Sequence, residues 1–600
     1  MTTTDDRIVL EEITNLSQLF CHRVHRTPDK IAYHYFNSEA KTWQDLTWSD
    51  MAEQVAYWQA ALKAENLSPG DRVALMVSNS PTWVMYEQAA MGLGFVVVPL
   101  YTNDRPENIN YIINDAQIRI LLVETATQWD KLKPHCKDLP SLQRIICMEP
   151  ARDDEDPRLA FLDTWLPDAS KRYPLNELKV HKSTLATIVY TSGTTGKPKG
   201  VMLSHYNIFW DAIAGLESVK VYSTDSFLSF LPLSHMFERT VGYYLPMICG
   251  SKVTYSRSID KLAEDLLLKR PTILITVPRI FERVYNKIKT QLASKSGFAQ
   301  NLFKWTVNVG WYRFRVQQHK QAWHPKLLLW PILSLLVARK IMAKLGGRLR
   351  LAVSGGAPLG FAIARTFIGL GVTISQGYGL TEASPVISTN TLEDNEPDSV
   401  GQALPGIDVK LGDDSELLVR APSVMMGYWN QDEATQLAID PDGWLHTGDK
   451  ARIEHNHIYI TGRLKEILVL SNGEKLPPAD LEMAICADPL FEQALVLGEQ
   501  KPYLSALVVF NEEGWHQLAS QLGVSTDEDM LNYPSVHEHV MQRLHDLLKE
   551  FPGYAKIYQV YITRETWTVE NSLMTPTLKL KRQLITNKYA DQIEQMYAGH

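Results

Sequence analysis

Residues 187–200 read Thr187-Ile188-Val189-Tyr190-Thr191-Ser192-Gly193-Thr194-Thr195-Gly196-Lys197-Pro198-Lys199-Gly200. A β-branched, apolar run here passes directly into a loop of hydroxyl groups, glycines and two lysines. Glycines let backbone N–H groups turn towards an anion, hydroxyl groups add donors, and lysines offset phosphate charge. The stretch therefore predicts a buried strand followed by a phosphate-binding loop, although a similar cluster alone would also suit a surface turn.

This loop differs from the P-loop of ATPases and GTPases. The glycine that should stand five residues before Gly196 is missing. Pro198 takes the place of the Ser or Thr that would bind magnesium in a P-loop. A P-loop nucleotidase is therefore disfavoured.

Short apolar strands alternate with helical stretches on both sides of this loop, from about residue 47 to residue 378. The strand-like runs are residues 72–77, 95–98, 118–123, 145–147, 272–276 and 349–353. Strands separated by helices of this kind are typical of parallel sheets covered by helices on both faces. The sequence predicts an α/β fold with a large N-terminal region of mostly parallel sheets flanked by helices.

The pattern of strands and helices changes twice along the chain. A helix-rich stretch from about residue 280 to residue 345 carries many aromatic and basic residues and is predicted as an insertion between two strands. Towards the C-terminus, short strands are mixed with helices. We therefore predict a large domain over residues 1–462 and a smaller, mobile α+β domain over residues 463–600, hinged near Arg463.

The composition is that of an ordinary soluble globular chain. Of the 600 residues, 45% are hydrophobic and 21% are charged, which excludes disorder, collagen and coiled coil. The 60 Lys and Arg residues against 68 Asp and Glu residues leave a formal charge of −8, with no basic tail for nucleic acid. The five cysteines form no CxxC or Cys/His cluster, so neither a disulfide framework nor a zinc site is predicted.

Two features bear on location. The acidic N-terminus lacks the basic and apolar regions of a signal peptide, so we expect a cytoplasmic protein. The apolar run Leu327–Ala338 has twelve residues and contains Pro331, whereas a membrane span needs about 20. Residues 326–345 combine Leu and Trp with cations, which suits an interfacial helix. Packed core is the more common fate of such a helix, so we predict at most loose peripheral contact with the inner face of a membrane.

Residues 190–200, YTSGTTGKPKG, resemble the phosphate loop of the acyl-adenylate-forming enzymes, which include acyl-CoA synthetases, adenylation domains and firefly luciferase. Three further motifs occur in the family's order across nearly the whole chain. They are residues 376–382 (QGYGLTE), residues 444–449 (WLHTGD) followed by 462–466 (GRLKE), and residues 575–579 (TPTLK). The sequence is identified on these motifs as a member of this superfamily.

The resemblance implies a complete ATP or AMP site. Its residues are Thr191, Ser192, Gly193, Thr194, Thr195, Gly196, Lys197, Gly355, Ala357, Gln376, Gly377, Tyr378, Gly379, Thr381, Asp449, Arg463 and Lys579. The family places adenine at Gly377, Tyr378 and Gly379, the AMP phosphate at Thr381, and the ribose at Asp449 and Arg463. The position of Tyr378 after a predicted strand agrees, because nucleotides bind at the carboxyl ends of strands in open α/β sheets.

The resemblance also implies a metal site. It assigns Mg²⁺ to Thr191 and Glu382, and a carboxylate is a sensible ligand for a hard cation shared with phosphates. Without the resemblance, the stretch around Glu382 would be interpreted as a tight glycine turn that caps a helix.

Lys579 is the most consequential single residue, because attack of a carboxylate on the α-phosphate needs positive charge where the transition state gathers negative charge. Many family members have Pro-Ser-Gly-Lys here, whereas this chain has Pro576-Thr577-Leu578-Lys579, which leaves Lys581 as an alternative. The resemblance makes Lys579 catalytic together with His235, Thr191 and Glu382. It also places a hinge at Lys465 and an approach of coenzyme A at Gly473.

The form of this lysine motif and residues 235–239 (HMFER) resemble the long-chain fatty acyl-CoA synthetases. His235 would lie close to the carboxylate and the phosphates. We expect it to position the substrate or gate the pocket rather than act as a general base, since a carboxylate is already ionised at neutral pH.

The resemblance implies a two-step ligation. A fatty acid and MgATP give acyl-AMP and pyrophosphate, and the thiol of coenzyme A displaces AMP after the small domain rotates. Mg²⁺ is the implied cofactor, with ATP and CoA as co-substrates. A long-chain acid is favoured because the phosphate-loop neighbours, the HMFER segment, the insertion and the C-terminal lysine motif all resemble that branch. Chain length and oligomeric state stay open.

Three alternatives stay open as well. One is another ligase of the superfamily, which would use medium-chain or aromatic acids or load a carrier protein. Another is a non-catalytic fatty-acid binding or uptake protein on the same fold, which the presence of the site residues disfavours. A luciferase-like oxygenase ranks last, because no residue identifies oxygen chemistry.

Overall fold

The computed structural model describes residues 6–136, 139–149, 156–191, 197–464, 466–471, 474–575 and 579–598, with only the backbone of Tyr554. The α/β class that the sequence predicts is confirmed by the sheets and helices of these residues. The expectation of mostly parallel sheets covered by helices holds for the large N-terminal region.

The strands are, in chain order, β1 (Ile31–Asn37), β2 (Thr42–Thr47), β3 (Arg72–Met76), β4 (Val96–Pro99), β5 (Ile120–Val123), β6 (Arg144–Cys147), β7 (Leu159–Phe161), β8 (Leu185–Thr191), β9 (Lys199–Ser204), β10 (Ser226–Ser229), β11 (Lys252–Tyr255), β12 (Ile273–Thr276), β13 (Leu351–Ser354), β14 (Ile374–Gly379), β15 (Val386–Thr389), β16 (Gln402–Ala403), β17 (Asp408–Leu411), β18 (Glu416–Arg420), β19 (Gly427–Tyr428), β20 (Leu445–Glu454), β21 (His457–Arg463), β22 (Leu468–Val469), β23 (Lys475–Leu476), β24 (Phe491–Leu497), β25 (Leu504–Phe510) and β26 (Ile557–Thr563).

The α-helices are α1 (Leu16–Arg26), α2 (Trp48–Ala64), α3 (Pro81–Gly92), α4 (Pro106–Asp115), α5 (Ala126–Leu132), α6 (Leu162–Trp165), α7 (His205–Ser218), α8 (Leu245–Cys249), α9 (Leu262–Lys269), α10 (Pro278–Ala293), α11 (Gly297–Gln317), α12 (Trp330–Leu333), α13 (Arg339–Lys344), α14 (Phe361–Gly369), α15 (Asp432–Ala438), α16 (Pro478–Cys486), α17 (Glu512–Leu522), α18 (Pro534–Leu547), α19 (Arg582–Lys588) and α20 (Ala590–Tyr597). Residues 238–244 and 334–338 form π-helical turns, and residues 325–329 and 381–383 form 3₁₀ turns.

Two large sheets form the N-terminal region. One has nine strands in the order β16-β15-β14-β13-β12-β10-β11-β1-β2, and the other has eight in the order β19-β9-β8-β4-β3-β5-β6-β7. The strand β8 pairs in parallel with β4 but antiparallel with β9. In the same way, β14 pairs in parallel with β13 but antiparallel with β15. Each strand that leads into a predicted nucleotide motif therefore lies where parallel pairing changes to antiparallel pairing.

A third sheet and a C-terminal part complete the chain. The antiparallel order β17-β18-β20-β21 ends at Arg463, and the pair β22-β23 and the three strands β24-β25-β26 follow with helices α16 to α20. Side chains after residue 466 form hydrophobic cores of their own, around Trp515 and Trp567. The predicted boundary at residues 462 and 463 stays a prediction.

The largest hydrophobic core joins the two large sheets. It contains Val73 and Val97 from the eight-stranded sheet and Phe227 and Ile275 from the nine-stranded sheet, each at most 2% exposed. Burying a side chain of this size stabilises the fold by about 1.5–3 kcal/mol. The shared core fixes the two strand ends at β8 and β14 relative to one another.

A buried ion pair crosses this core. Arg239, in the π-helical turn, pairs with Glu87 of α3, and both side chains are fully buried. Arg239 Nη1 also donates a hydrogen bond of 2.9 Å to Thr187 Oγ1 in β8. Arg239 therefore ties a helix and a central strand to the segment that carries His235.

Replacing Arg239 with methionine is expected to destabilise the large domain by about 3–5 kcal/mol, because Glu87 would stay buried without its partner. The matched control is Arg420→Met, whose pair with Asp408 is half-exposed and is worth about 1 kcal/mol or less. Differential scanning calorimetry should show a clearly lower unfolding midpoint for Arg239→Met alone. Equal midpoints for the two variants would contradict this role.

The helices α10 to α13 lie between the parallel neighbours β12 and β13. The expectation that the apolar run 327–338 is packed core is wrong for about half of its side chains. Leu333 and Ala338 are buried, but Leu328, Ile332 and Leu335 are 59–70% exposed. The reason is geometric, since only one side of this helical run meets α11 and the loop after α14. Among the described residues, no helix has both the length and the apolar character to cross a membrane.

Candidate active site

An aspartate, an arginine and a tyrosine meet where the third sheet approaches the end of β14. Asp449 lies in β20 and Arg463 lies in β21, and the antiparallel register places these two residues opposite one another. Arg463 Nε donates to Asp449 Oδ1 at 2.8 Å, and the Tyr378 hydroxyl donates to Asp449 Oδ2 at 2.6 Å. The spacing of fourteen residues between Asp449 and Arg463 is thus the length of a hairpin that pairs them.

Burial and the neighbouring charges fix the protonation states of Tyr378 and Arg463. Burial raises the pKa of Tyr378 well above its usual value, and Asp449 raises it further. Burial alone would lower the pKa of Arg463, but the carboxylates of Asp449 and Glu466 raise it overall. Tyr378 therefore stays a neutral donor and Arg463 a cation. Each carboxylate oxygen of Asp449 keeps a further lone pair with which it can accept a hydroxyl proton.

The glycines of the motif have a packing reason that sequence reasoning missed. A Cβ atom at Gly379 would lie 1.8 Å from the carbonyl oxygen of Pro385, and one at Gly377 would lie 2.9 Å from that of Ser388. Both contacts come from the close antiparallel pairing of β14 with β15. The two glycines are therefore required by the backbone, whatever ligand lies beside Tyr378.

The turn that contains the predicted nucleotide-binding residues Gly355 and Ala357 packs against the segment of His235. A Cβ atom at Gly355 would lie 3.0 Å from Cζ of the Phe237 ring, so glycine is needed for the ring to come this close to the turn. Gln376, at the end of β14, is buried, and its side-chain amide donates to Ser399 O at 3.4 Å. Ala357 is exposed. Phe237 is a site residue that the HMFER segment contained but that sequence reasoning did not single out.

His235 has a defined protonation state. The backbone N–H of Phe237 donates to His235 Nδ1 at 3.1 Å, so the neutral ring carries its proton on Nε2. Burial, with a contribution from the Lys579 charge, lowers the pKa of His235 to about 4. At neutral pH His235 is therefore an uncharged Nε2–H donor, as a positioning role requires.

The predicted metal ligands lie at the end of β8 and in the turn after β14. Thr191 ends β8 opposite Lys199 in β9, and Glu382 lies in the 3₁₀ turn after β14. The Tyr428 hydroxyl donates to Glu382 Oε1 at 2.9 Å, and Lys199 Nζ lies 4.8 Å from the centre of the Tyr428 ring. Sequence reasoning missed Tyr428, because nothing in the local pattern reveals a partner 46 residues away.

The structure describes only some of the other predicted site residues. Lys197 is exposed, and its ammonium group lies 5.1 Å from the centre of the Tyr111 ring. Thr381 begins the 3₁₀ turn that carries Glu382. The predictions for Ser192, Gly193, Thr194, Thr195, Gly196, Lys465 and Gly473 lie outside the described residues.

Lys579 enters the same cleft from the C-terminal part. Thr575 and Lys579 form two hydrogen bonds, from Lys579 N to Thr575 Oγ1 at 3.0 Å and from Thr575 N to Lys579 O at 2.8 Å. The Lys579 side chain is exposed to solvent, yet desolvation by the protein atoms around it, followed by the charge of Arg463, lowers the pKa of Lys579, whereas Asp449, Glu466 and Glu382 act in the opposite direction. The ammonium group of Lys579 therefore lies within range of the charges of Arg463, Asp449 and Glu382.

Different charged residues, Arg105 and Asp104, surround Lys581. Burial, followed by the charge of Arg105, lowers its pKa, and the carboxylate of Asp104 partly offsets this. The two lysines, which the sequence could not tell apart, are therefore distinguished by their surroundings. Lys579 is the one beside Asp449 and His235.

Comparison with known proteins agrees with this geometry. Residues 20–429 match the model of the AMP-binding enzyme family. The chain belongs to the AMP-binding enzyme family. Residues 465–600 of this AMP-binding enzyme match the family's C-terminal domain.

Relatives and solved structures resemble this AMP-binding enzyme over nearly its full length. The long-chain-fatty-acid–CoA ligase FadD15 of Mycobacterium bovis is 30% identical over 601 residues, which are 98% of this chain and 97% of that protein. Long-chain-fatty-acid–CoA ligase 6 of Mus musculus is 30% identical over 94% of this chain and 84% of its own. The anthranilate CoA ligase AuaEII in complex with anthranoyl-AMP has a TM-score of 0.74 at 19% identity, with 97% of this chain and 98% of that chain covered. The structural likeness supports the fold.

Proposed function

We propose that this AMP-binding enzyme joins a long-chain fatty acid to coenzyme A in an ATP-dependent reaction that passes through acyl-AMP and releases AMP and pyrophosphate. The observation that carries the proposal is the hydrogen-bonded group of Asp449, Arg463 and Tyr378. The charges of Asp449 and Arg463 act on Lys579 from the C-terminal part, and the charge of Lys579 acts on the neutral His235. The long-chain acid is supported by the curated relatives, which are named as long-chain-fatty-acid–CoA ligases and are matched over nearly the whole chain.

The first step needs a bound nucleotide and a stabilised transition state. Asp449 accepts the ribose hydroxyl groups while Tyr378 and Arg463 hold its carboxylate in place. A carboxylate oxygen of the fatty acid attacks the α-phosphorus, and the bond from that phosphorus to pyrophosphate breaks. Lys579 stabilises the negative charge that gathers on the α-phosphate oxygens. His235 donates from Nε2 to orient the carboxylate or the phosphate.

The residues predicted for Mg²⁺ fit a hard cation. Glu382 offers a carboxylate whose orientation is fixed by Tyr428, and Thr191 offers a hydroxyl group at the end of β8. Oxygen ligands of this kind, completed by phosphate oxygens and water, are the ones Mg²⁺ prefers. When bound, the cation supplies neutralisation of the phosphate charge.

The second step uses the same pocket after Lys579 has left it. The sulfur of coenzyme A attacks the acyl carbonyl carbon, and the bond from this carbon to the AMP oxygen breaks. Lys579 has to leave before the thiol enters, and rotation at Lys465 with approach of the loop at Gly473 is the proposed route. One arrangement has Lys579 in the cleft for adenylation, and the other has the loop at Gly473 there for thiolysis. Contacts between the two parts of the chain determine how populated each arrangement is.

One contact of this kind is the ion pair between Arg279 of α10 and Glu492 of β24, with 2.6 Å between Arg279 Nη2 and Glu492 Oε1. Replacing Glu492 with glutamine is expected to slow acyl-AMP formation about two- to fivefold, because it weakens the arrangement that holds Lys579 in the cleft. Thiolysis of preformed acyl-AMP should not slow. Single-turnover measurements of each half-reaction test this.

The matched control is Glu565→Gln, which removes an ion pair with Lys588 inside the C-terminal part. It should leave both half-reactions unchanged. Equal slowing of both half-reactions by Glu492→Gln would contradict a role in the balance between the two arrangements.

The function is tested by AMP release from purified protein with MgATP, with and without CoA, over fatty acids from acetate to oleate. The proposal predicts CoA-dependent AMP release that is greatest for long chains. Pyrophosphate release that does not depend on CoA would move the acceptor to another thiol, such as that of a carrier protein. No turnover with any acid would favour a binding protein on this fold.

A further inference from the structure

The totals of 60 basic and 68 acidic residues conceal one strongly cationic stretch. Residues 283–381 contain no Asp or Glu, although they contain fifteen Lys and Arg residues. All 68 acidic residues of the chain therefore lie outside this stretch. Its positive charge comes mostly from the helices α10 to α13 and their connections.

The same stretch exposes a row of large apolar side chains, which we name the leucine face. Its members are Leu328, Leu329, Ile332, Leu335 and Leu336, which are 45–70% exposed. They recur every three to four residues in the continuous helical run from Pro325 to Lys344. At about 1.5 Å per residue the row is roughly 12 Å long. Contiguous exposed apolar surface of this kind marks an interaction site.

The opposite side of the run is packed, so the leucine face is the outer side of an ordered element. Leu333 and Ala338 are at most 5% exposed. Ala338 packs with Val307 of α11 and with Leu370, and Trp330 packs against the same cluster.

Cations continue and border the leucine face. Arg339 and Lys340 follow it by one helical turn, are both exposed, and form no ion pair among the described residues. Lys326 precedes it, with Nζ 3.3 Å from the centre of the Tyr312 ring. Beside Lys326 lies an open hollow of about 640 Å³, lined by Arg315, Arg365 and aromatic rings and by no carboxylate. Arg315 is paired with Glu396 at 3.5 Å, so among the described residues the cations that border the face without an ion pair are Arg339, Lys340 and Lys326.

We propose that the leucine face docks on an anionic phospholipid bilayer. Its apolar side chains enter the acyl-chain boundary, while Arg339, Lys340 and Lys326 engage lipid phosphates. A second copy of the chain is a poorer occupant, because a symmetric contact would bring these unpaired cations against one another. Neither the exposure of the leucine face nor the charge beside it depends on the proposed reaction.

The test is flotation of the full chain with vesicles of phosphatidylcholine, alone or mixed with phosphatidylglycerol. We expect binding to the mixed vesicles that weakens with salt, and much less binding to phosphatidylcholine alone. The double variant Ile332→Glu/Leu335→Glu should lose binding. The control Leu268→Glu/Leu437→Glu replaces equally exposed apolar side chains elsewhere and should keep it. An unchanged unfolding midpoint shows that each variant is folded.

The charge is tested separately. Arg339→Gln/Lys340→Gln should weaken binding to the mixed vesicles about tenfold or more, whereas Lys549→Gln/Lys556→Gln, two exposed lysines of the C-terminal part, should not. Absence of flotation with both vesicle types would overturn the proposal, and so would equal binding to both. Light scattering that shows a dimer for the parent chain and a monomer for Ile332→Glu/Leu335→Glu would overturn it in favour of a second copy.

Discussion

Replacing Lys579 with methionine is expected to slow acyl-AMP formation about 100- to 1,000-fold, the usual cost of removing one group that stabilises a charged transition state. Lys579 is the cation that the C-terminal part brings beside Asp449 and His235. Methionine keeps much of the side-chain length but removes the charge. The rate should be measured as pyrophosphate release in a single turnover with MgATP and oleate.

The controls separate this role from general damage to the cleft. Lys581→Met removes the neighbouring lysine, whose surroundings are Arg105 and Asp104, and should keep nearly full activity. Thiolysis of preformed oleoyl-AMP should survive in Lys579→Met, because the charge is needed only for adenylation. Equal losses in Lys579→Met and Lys581→Met, or loss of thiolysis, would contradict the assignment.

Replacing Asp449 with asparagine is expected to lower kcat/KM for ATP about 10- to 100-fold, the cost of one or two hydrogen bonds to a charged group. The amide has a single acceptor oxygen, so it cannot accept from Tyr378, Arg463 and the ribose hydroxyl groups as the carboxylate does. Asp442→Asn, on an exposed turn nearby, should leave the value unchanged.

An altered nucleotide tests this contact directly. The parent enzyme should prefer ATP over 2′-deoxy-ATP. Asp449→Asn should lose most of that preference, because in this variant the 2′-hydroxyl group of ATP no longer meets a carboxylate. A preference for ATP that is unchanged in Asp449→Asn would show that another group binds the ribose. The unfolding midpoint checks that Arg463 without its partner does not unfold the site.

Local patterns predicted the elements of this fold because each pattern carries its own physical cause. The run at residues 145–147 is apolar and buried, with two β-branched isoleucines, and Pro478 with an acidic first turn begins a helix that ends at Cys486. Asp449 and Arg463 were likewise found from motifs that lie in a single hairpin.

Contacts between distant segments could not be predicted in this way. The bond from Tyr428 to Glu382 and the packing of Phe237 on Gly355 depend on which strand ends meet, and no local period encodes that. The exposed leucines show the same limit. A helical run has the same apolar spacing whether or not another element covers it, so sequence favoured packed core where the structure has an open face.

The proposed reaction requires that a fatty-acid carboxylate attacks the α-phosphorus of ATP. Oleate labelled with ¹⁸O in both carboxylate oxygens, together with MgATP and CoA, tests this by mass spectrometry of the products. We expect one ¹⁸O atom in the phosphate of AMP, because the bridging oxygen stays with AMP when the thiol attacks the acyl carbon. Label in pyrophosphate or inorganic phosphate, or none in AMP, would contradict it.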